Sequence, residues 1–187
     1  MSNFPAAGVY SIDPVHSTFT FVARHLVVSK VRGRFADFEG AITIGDTPET
    51  SSAVVSVQAG SITTDNEMRD GHIKSNDFLA QETYPTLTFT STSLTPKGGN
   101  QYALVGDLSI RDVTKSVTFA VEFTGEGVTF TPGQSVIGFE ATAEIDRRDF
   151  NVNFEGNLEN GNAVVSHKIV IELNIEAATL VAAEVSN

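Results

Sequence analysis

One pattern dominates this chain: apolar and polar residues alternate with a period of two. Phe19, Phe21 and Ala23 alternate with Thr18, Thr20 and Arg24. Phe35, Phe38, Ile42 and Ile44 mark a second such run. Ala53, Val55, Val57 and Ala59 mark a third, and Leu87 and Phe89 among threonines a fourth. Tyr102, Leu104, Leu108 and Ile110 share one face of a fifth run, and Val113, Val117, Phe119, Val121 and Phe123 one face of a sixth. Ile137 to Ile145 and Val165 to Ile175 complete the set. Successive side chains of a strand point to opposite faces, so each run reads as a strand with one buried face. The step from Phe35 to Phe38 breaks parity, and a bulge is expected near Ala36 and Asp37.

Turn residues separate the runs. Gly45 to Pro48, Pro96 to Asn100 and Asn157 to Asn162 have loop compositions. Arg111 and Asp112 leave room only for a tight hairpin, so the fifth and sixth strands should be antiparallel neighbours. Alternation vanishes from Thr64 to Gln81. This stretch reads as two short helices, the first capped by Thr64 or Asp65 and the second by Ser75 or Asn76. The Ala-rich tail after Glu176 is expected to fray. Eight mostly sequential strands with one apolar face have two solutions, a sandwich or a closed barrel. A closed eight-stranded barrel can hold one small ligand. A helical excursion between the third and fourth strands would cover one of its mouths.

Composition narrows the chemistry. At 187 residues the chain fits one domain, with a core of about residues 8–177. It has no cysteine, which removes disulfides, cysteine-ligated metals and thiol nucleophiles. Its formal charge of -11 argues against nucleic acid. Thirteen Phe against no Trp suit a dry interior, because Phe carries no polar handle. The first residues carry neither a basic region nor an apolar run, and no stretch is long enough to span a bilayer, so the cytoplasm is the expected compartment.

Four histidines, His16, His25, His72 and His167, lack metal-motif spacing, and no metal site is expected. His25 and His167 share parity with the apolar faces of their strands and are expected to face inward. No nucleophile elbow or phosphate loop exists, and Ser17 beside His16 faces the opposite side of its strand. Three clusters of basic residues stand out: Arg24, Lys30, Arg32 and Arg34; Arg69 and Lys74; Arg147 and Arg148. Arginine forks suit anionic head groups.

Several linked motifs resemble those of the YceI family. Tyr10, Asp13, His16 and Ser17, then Phe21 to His25, then Gly33 to Gly40 resemble its N-terminal signature. His72 to Phe78 leading to Tyr84 and Phe89, the hairpin from Gly106 to Lys115, and Ile145 to Phe150 resemble its later motifs. The resemblance implies an all-β fold, an eight-stranded antiparallel lipocalin-like barrel with a short helical excursion between strands 3 and 4. It also implies binding of a long-chain polyisoprenoid or related amphiphile (an isoprenoid quinone, prenyl phosphate or fatty amide) in the lumen, for carriage, storage or sensing. Two departures stand out: Asn151 where the family often has Gly, and His167 where it often has an acid. Asn tolerates left-handed backbone and should keep that turn.

The lumen is then expected along Phe19, Phe21, His25, Phe35, Phe38, Val55, Phe89, Leu104, Phe119, Phe123, Ile137, Phe139, His167, Ile169 and Ile171. His25, Arg34 and Arg147 are the head-group candidates. No cofactor beyond a bound lipid and no catalytic residue is expected, and a homodimer fits the resemblance. The alternatives are an enzyme acting on a prenyl lipid with His25 as base, and an interaction protein with a filled barrel.

Overall fold

The computed structural model describes residues 4–26, 28–156 and 164–180. The alternating runs form β2 (Thr18–His25), β3 (Ser29–Phe35), β4 (Phe38–Ile44) and β5 (Ser52–Gln58), and two short strands outside the expected runs add β1 (Gly8–Ile12) and β6 (Ile62–Thr63). The runs continue as β7 (Thr86–Gly98), β8 (Gln101–Ile110), β9 (Val113–Val128), β10 (Ser135–Asp146) and β11 (Val165–Thr179). Eleven segments make eight strands of the barrel, because three strands are bent. β1 runs on into β2, β3 into β4, and β5 into β6. The expected break near Ala36 and Asp37 is the bend between β3 and β4. Phe35 opposes Ile62 while Phe38 opposes Val57, so the partner strand carries extra residues there. The single turn of 3₁₀ helix at Ala59–Ser61 takes up that excess.

The ring closes through β11. Along one edge it pairs with β10 from Asp146↔Lys168 to Val136↔Ala178. Along the other it pairs first with β2 and then with β1. All neighbouring strands are antiparallel and sequential, and closure leaves no free edge for aggregation. This decides between barrel and sandwich. It also corrects the expectation of a frayed tail. Ala177 and Ala178 belong to the closing strand, where Ala177 pairs with both Ile12 and Ile137 and is fully buried. Their small side chains permit the close packing of the seam; of the tail, residues 181–187 lie outside the described part.

The hairpin at Arg111 and Asp112 is as tight as expected. Ile110 opposes Val113, and Arg111 takes a left-handed φ of 57°. Asn151 likewise adopts φ 58° and ψ 23°, so it makes the turn for which glycine is the common solution. The loop expected at 157–162 lies outside the described residues.

The excursion between β6 and β7 differs from its expected form. It holds one helix, α1 (Glu67–Lys74), followed by hydrogen-bonded turns rather than a second helix. The cap is Asn66, whose side chain accepts from the Arg69 amide. Thr64 is otherwise occupied. Its amide and hydroxyl donate to Asp70 at 2.7 and 2.5 Å, while Arg69 Nε donates to its hydroxyl at 2.7 Å. These bonds fasten α1 to the end of β6. Inside the barrel, inward side chains of all eight strands form one core. Phe89 meets Phe119 edge-on at 5.3 Å, and Phe19 lies 4.2 Å from Phe38. Such pairs add about 0.5–1.5 kcal/mol each beyond their area burial.

Candidate functional site

The barrel encloses a cavity of about 540 Å³, within the range of small-ligand sites. One end of the barrel carries α1, the Arg111 hairpin and the connection from β10 to β11; this is the mouth end. The other carries the turns at 45–51, 99–100 and 129–134. Phe19, Phe21, Phe35, Phe89, Phe119 and Phe139 line the cavity as expected, with Val55, Leu104, Ile169 and Ile171. Two glycines make room for these rings. A Cβ at Gly33 would run into the ring of Phe21, its cross-strand partner, and one at Gly106 into the ring of Phe89.

Three expected apolar lining residues stand elsewhere. Phe38 is buried against Phe19, and Phe123 and Ile137 are buried beyond the cavity toward the far end. Parity placed them inside the barrel correctly. It carries no information on depth along the axis, so packed core and open lumen look alike in sequence.

The polar candidates divide more sharply. His25 lines the cavity at the mouth, and among the described residues no hydrogen bond or ion pair engages its ring. His167 does not line it. Val165 opposes His25 and Ile169 opposes Ala23, so three residues of β11 bulge out against one of β2. That bulge carries His167 off the inward face despite its parity. Arg34 is also off the cavity: it projects outward and faces Asp65 at 3.4 Å. Arg32 pairs with Glu172 on the same outer surface.

Arg147 lines the cavity and is only 5% exposed. Its Nε donates to the Ser166 carbonyl at 3.1 Å, and its Nη1 to Val152 at 2.5 Å. Its Nη2 donates to Phe154 at 2.8 Å and Val165 at 3.3 Å. Burial pushes its pKa below the ordinary guanidinium value. The neighbouring carboxylate does not neutralise it directly, because Asp146 is taken by Arg148, whose bonds hold Asp146 down to about 2. Arg147 thus ties β11 to the chain leaving β10 and presents positive charge to the lumen.

The mouth is built largely from residues without strand periodicity, which is why sequence parity missed them. Phe78 comes from the turns after α1 and Phe154 from the chain after β10. Their rings lie 4.9 Å apart, and His72 of α1 packs edge-on against both at 5.1 and 5.0 Å. His72 Nε2 also meets Asp77 at 2.8 Å. Arg111 bridges the two segments, donating to the Phe78 carbonyl at 3.3 Å and the Asn151 carbonyl at 2.8 Å beneath the Tyr84 ring.

The electrostatics of the lining are one-sided. Arg24, His25, Arg69, His72 and Arg147 are its ionisable side chains among the described residues, and none is acidic. All five lie at the mouth end. Deeper, only hydroxyls interrupt the apolar wall, such as Ser51, whose hydroxyl already donates to the Thr47 carbonyl. In a chain with 23 acids and 12 Lys and Arg, no carboxylate of the described residues lines this space.

At the seam outside the barrel, His16 Nδ1 lies 2.8 Å from Asp13 and 3.7 Å from Glu176. Ser17, the neighbour of His16, is buried and bonds the Glu176 backbone instead. His16 and Ser17 thus lie in the turn between β1 and β2 rather than on the strand expected for them, and no hydrogen bond joins their side chains among the described residues.

A closed antiparallel barrel with an apolar lumen and a covered mouth defines a lipocalin-like architecture. The YceI-like domain family matches residues 10–177, and the chain belongs to that family. The Staphylococcus aureus UPF0312 protein SA2479 is 35% identical over 169 residues, covering 89% of this chain and 95% of the relative. Among solved structures, Burkholderia cenocepacia BcnA superposes with a TM-score of 0.77 at 22% identity, covering 88% of this chain and 98% of BcnA. The Campylobacter jejuni YCEI protein gives 0.72 at 26% identity, covering 84% and 90%. A polyisoprenoid binding domain from Saccharophagus degradans gives 0.64 at 16% identity, covering 91% and 98%; at that identity it shares the fold.

Proposed function

We propose that this protein binds an amphiphilic lipid of the polyisoprenoid type, non-catalytically, with its tail in the barrel lumen and its head at the mouth. The observation that carries the reading is the lopsided lining, apolar along its length and basic only at the mouth end. An apolar tail gains about 0.8 kcal/mol for each methylene buried, so a dry tube of this size supports firm binding after ordering costs. The polyisoprenoid binding domain of Saccharophagus degradans shares the fold and lends support to the same ligand class.

His25 and Arg24 are the head-group contacts at the mouth. Of the residues expected beside His25, Arg34 faces outward and Arg147 spends its donors on backbone carbonyls; Arg69 is likewise bonded to Thr64, so Arg69 and Arg147 contribute charge. A non-catalytic role is supported by the wiring of the polar groups. Among the described residues, no serine or threonine hydroxyl is hydrogen-bonded to a histidine ring, and Ser75 donates to the His72 carbonyl instead, so no hydroxyl is paired with an imidazole base.

The test is extraction of the purified protein with organic solvent and identification of the lipid by mass spectrometry, beside a turnover assay on prenyl substrates. A prenyl-type amphiphile recovered unchanged in near-equimolar amount is the expected result. A lipid-free protein, or conversion of the substrate that is lost in His25→Ala, overturns the reading.

A further inference from the structure

We propose that the mouth end docks on an anionic phospholipid bilayer through the tip of the β2–β3 hairpin and the exposed side of α1. Such docking goes beyond lumen binding and depends on the outer surface of the mouth alone. The hairpin tip is tied down at its backbone. The Leu26 amide donates to the Val164 carbonyl at 2.9 Å, which fastens the tip to the connection from β10 to β11. The Val28 amide donates to the His25 carbonyl at 3.1 Å, and the Arg24 amide to the Ser166 hydroxyl at 3.0 Å. This fixed turn still leaves Leu26 and Val28 exposed, Val28 by 85%. On α1, Met68 is 88% exposed. Three large apolar side chains thus face water at the opening of an apolar lumen.

Charge identifies the partner. Arg24 and Lys30 are direct cross-strand partners at the base of the tip, and both are exposed. Like charges set opposite each other weaken a sheet. Among the described residues, neither has an ion pair to offset this. An anionic surface supplies the missing counter-charge. Long cationic side chains lie along apolar neighbours while their heads reach phosphates. Carboxylates around α1 are mostly engaged: Asp65 faces Arg34, Asp70 accepts from Thr63 and Thr64, and Asp77 meets His72. Glu67, beside Met68, is exposed and opposes docking. The far end is the contrast. Phe130 is fully exposed there, but Asp46, Glu49 and Glu126 surround that end, and an anionic bilayer repels it. Screening over about 10 Å at 0.1 M salt lets each end act for itself despite the net charge of -11.

The full-length protein is floated with phosphatidylcholine vesicles, with and without about one-third phosphatidylglycerol. Partitioning should be at least tenfold higher on the anionic vesicles at about 0.1 M salt and fall steeply at about 0.5 M. A basic residue near such a surface is worth about fivefold. Lys30→Glu should therefore weaken binding at least tenfold, while its new ion pair with Arg24 leaves Tm unchanged or raised. Val28→Ser and Met68→Ser should each weaken binding at least threefold. Glu67→Gln should strengthen it about fivefold, and Phe130→Ser should leave it unchanged. Losses and a gain at one end are not the signature of a folding defect, and Val28→Ser decides if Lys30→Glu fails to fold. Equal binding to both vesicles, or to neither, overturns the inference. So does full binding by folded Lys30→Glu, or loss of binding in Phe130→Ser. Lipid extracted from a protein that ignores vesicles keeps the lumen reading and overturns docking alone.

Discussion

The guanidinium of Arg147 donates to the carbonyl of Val152, five residues along the chain, at 2.5 Å. With its bonds to Ser166, Phe154 and Val165, this makes one side chain the organiser of the crossing from β10 to β11. Arg147→Ala leaves several carbonyls to find new partners at a site that is mostly buried. A loss of about 3 kcal/mol is expected, lowering Tm by roughly 6–12 °C for a chain of this length. Arg147→Lys should fall in between, because an ammonium cannot reproduce the fork. Thermal unfolding checks both, and a Tm unchanged in the alanine variant would sink the assignment.

Close approach of rings to glycine gives a second expectation. Gly106→Ala and Gly33→Ala drive a methyl group into Phe89 and Phe21, respectively. Each should cost about 1–3 kcal/mol in urea denaturation. Gly71→Ala is the contrast. It sits in α1 with nothing within 4 Å of an added Cβ. Higher helix propensity should stabilise that variant by about 0.5–1 kcal/mol.

The seam cluster predicts a pH dependence. The hydrogen bond to Asp13 raises the His16 pKa, and the same bond lowers that of Asp13. A raised histidine stabilises the fold fully below its unfolded value of 6.5, and this is lost as pH rises through the folded value. A lowered carboxylate stabilises above its unfolded value of 3.8, and this is lost as pH falls through the folded value. The Tm difference between the native chain and His16→Ala should therefore peak near about pH 5 and shrink toward about pH 8. A flat difference across that range would show that the pair contributes nothing.

Arg111 should govern the mouth without governing the barrel. Arg111→Ala removes the bridge between the Phe78 and Asn151 carbonyls. Hydrogen exchange should quicken at least several-fold in residues 76–84 and 150–156, while the amides of β8 to β10 keep their protection. Uniform loss of protection would mean that the residue supports the whole fold instead.

The sequence by itself determined most of the strands and their apolar faces. Period-2 alternation is a local property, and a strand offers only two faces, so Phe19, Phe21, Phe89 and Phe119 could be assigned by parity alone. The tight hairpin at Arg111 was legible because two residues between alternating runs leave room for nothing longer, while the left-handed turn at Asn151 came from the family resemblance and the tolerance of Asn for that backbone. Tertiary structure alone decided what depended on distances between strands. It made Ala177 a closing strand rather than a frayed tail, because burial against Ile12 and Ile137 outweighs weak local propensity. The bulge in β11 reversed the reading of His167, since added residues shift every side chain beyond them and no parity rule locates them. Burial turned Arg147 from a head-group fork into a backbone tie. Only the packed ring showed where core ends and cavity begins, because Phe123 and Phe139 have the same pattern in sequence and differ in what lies above them.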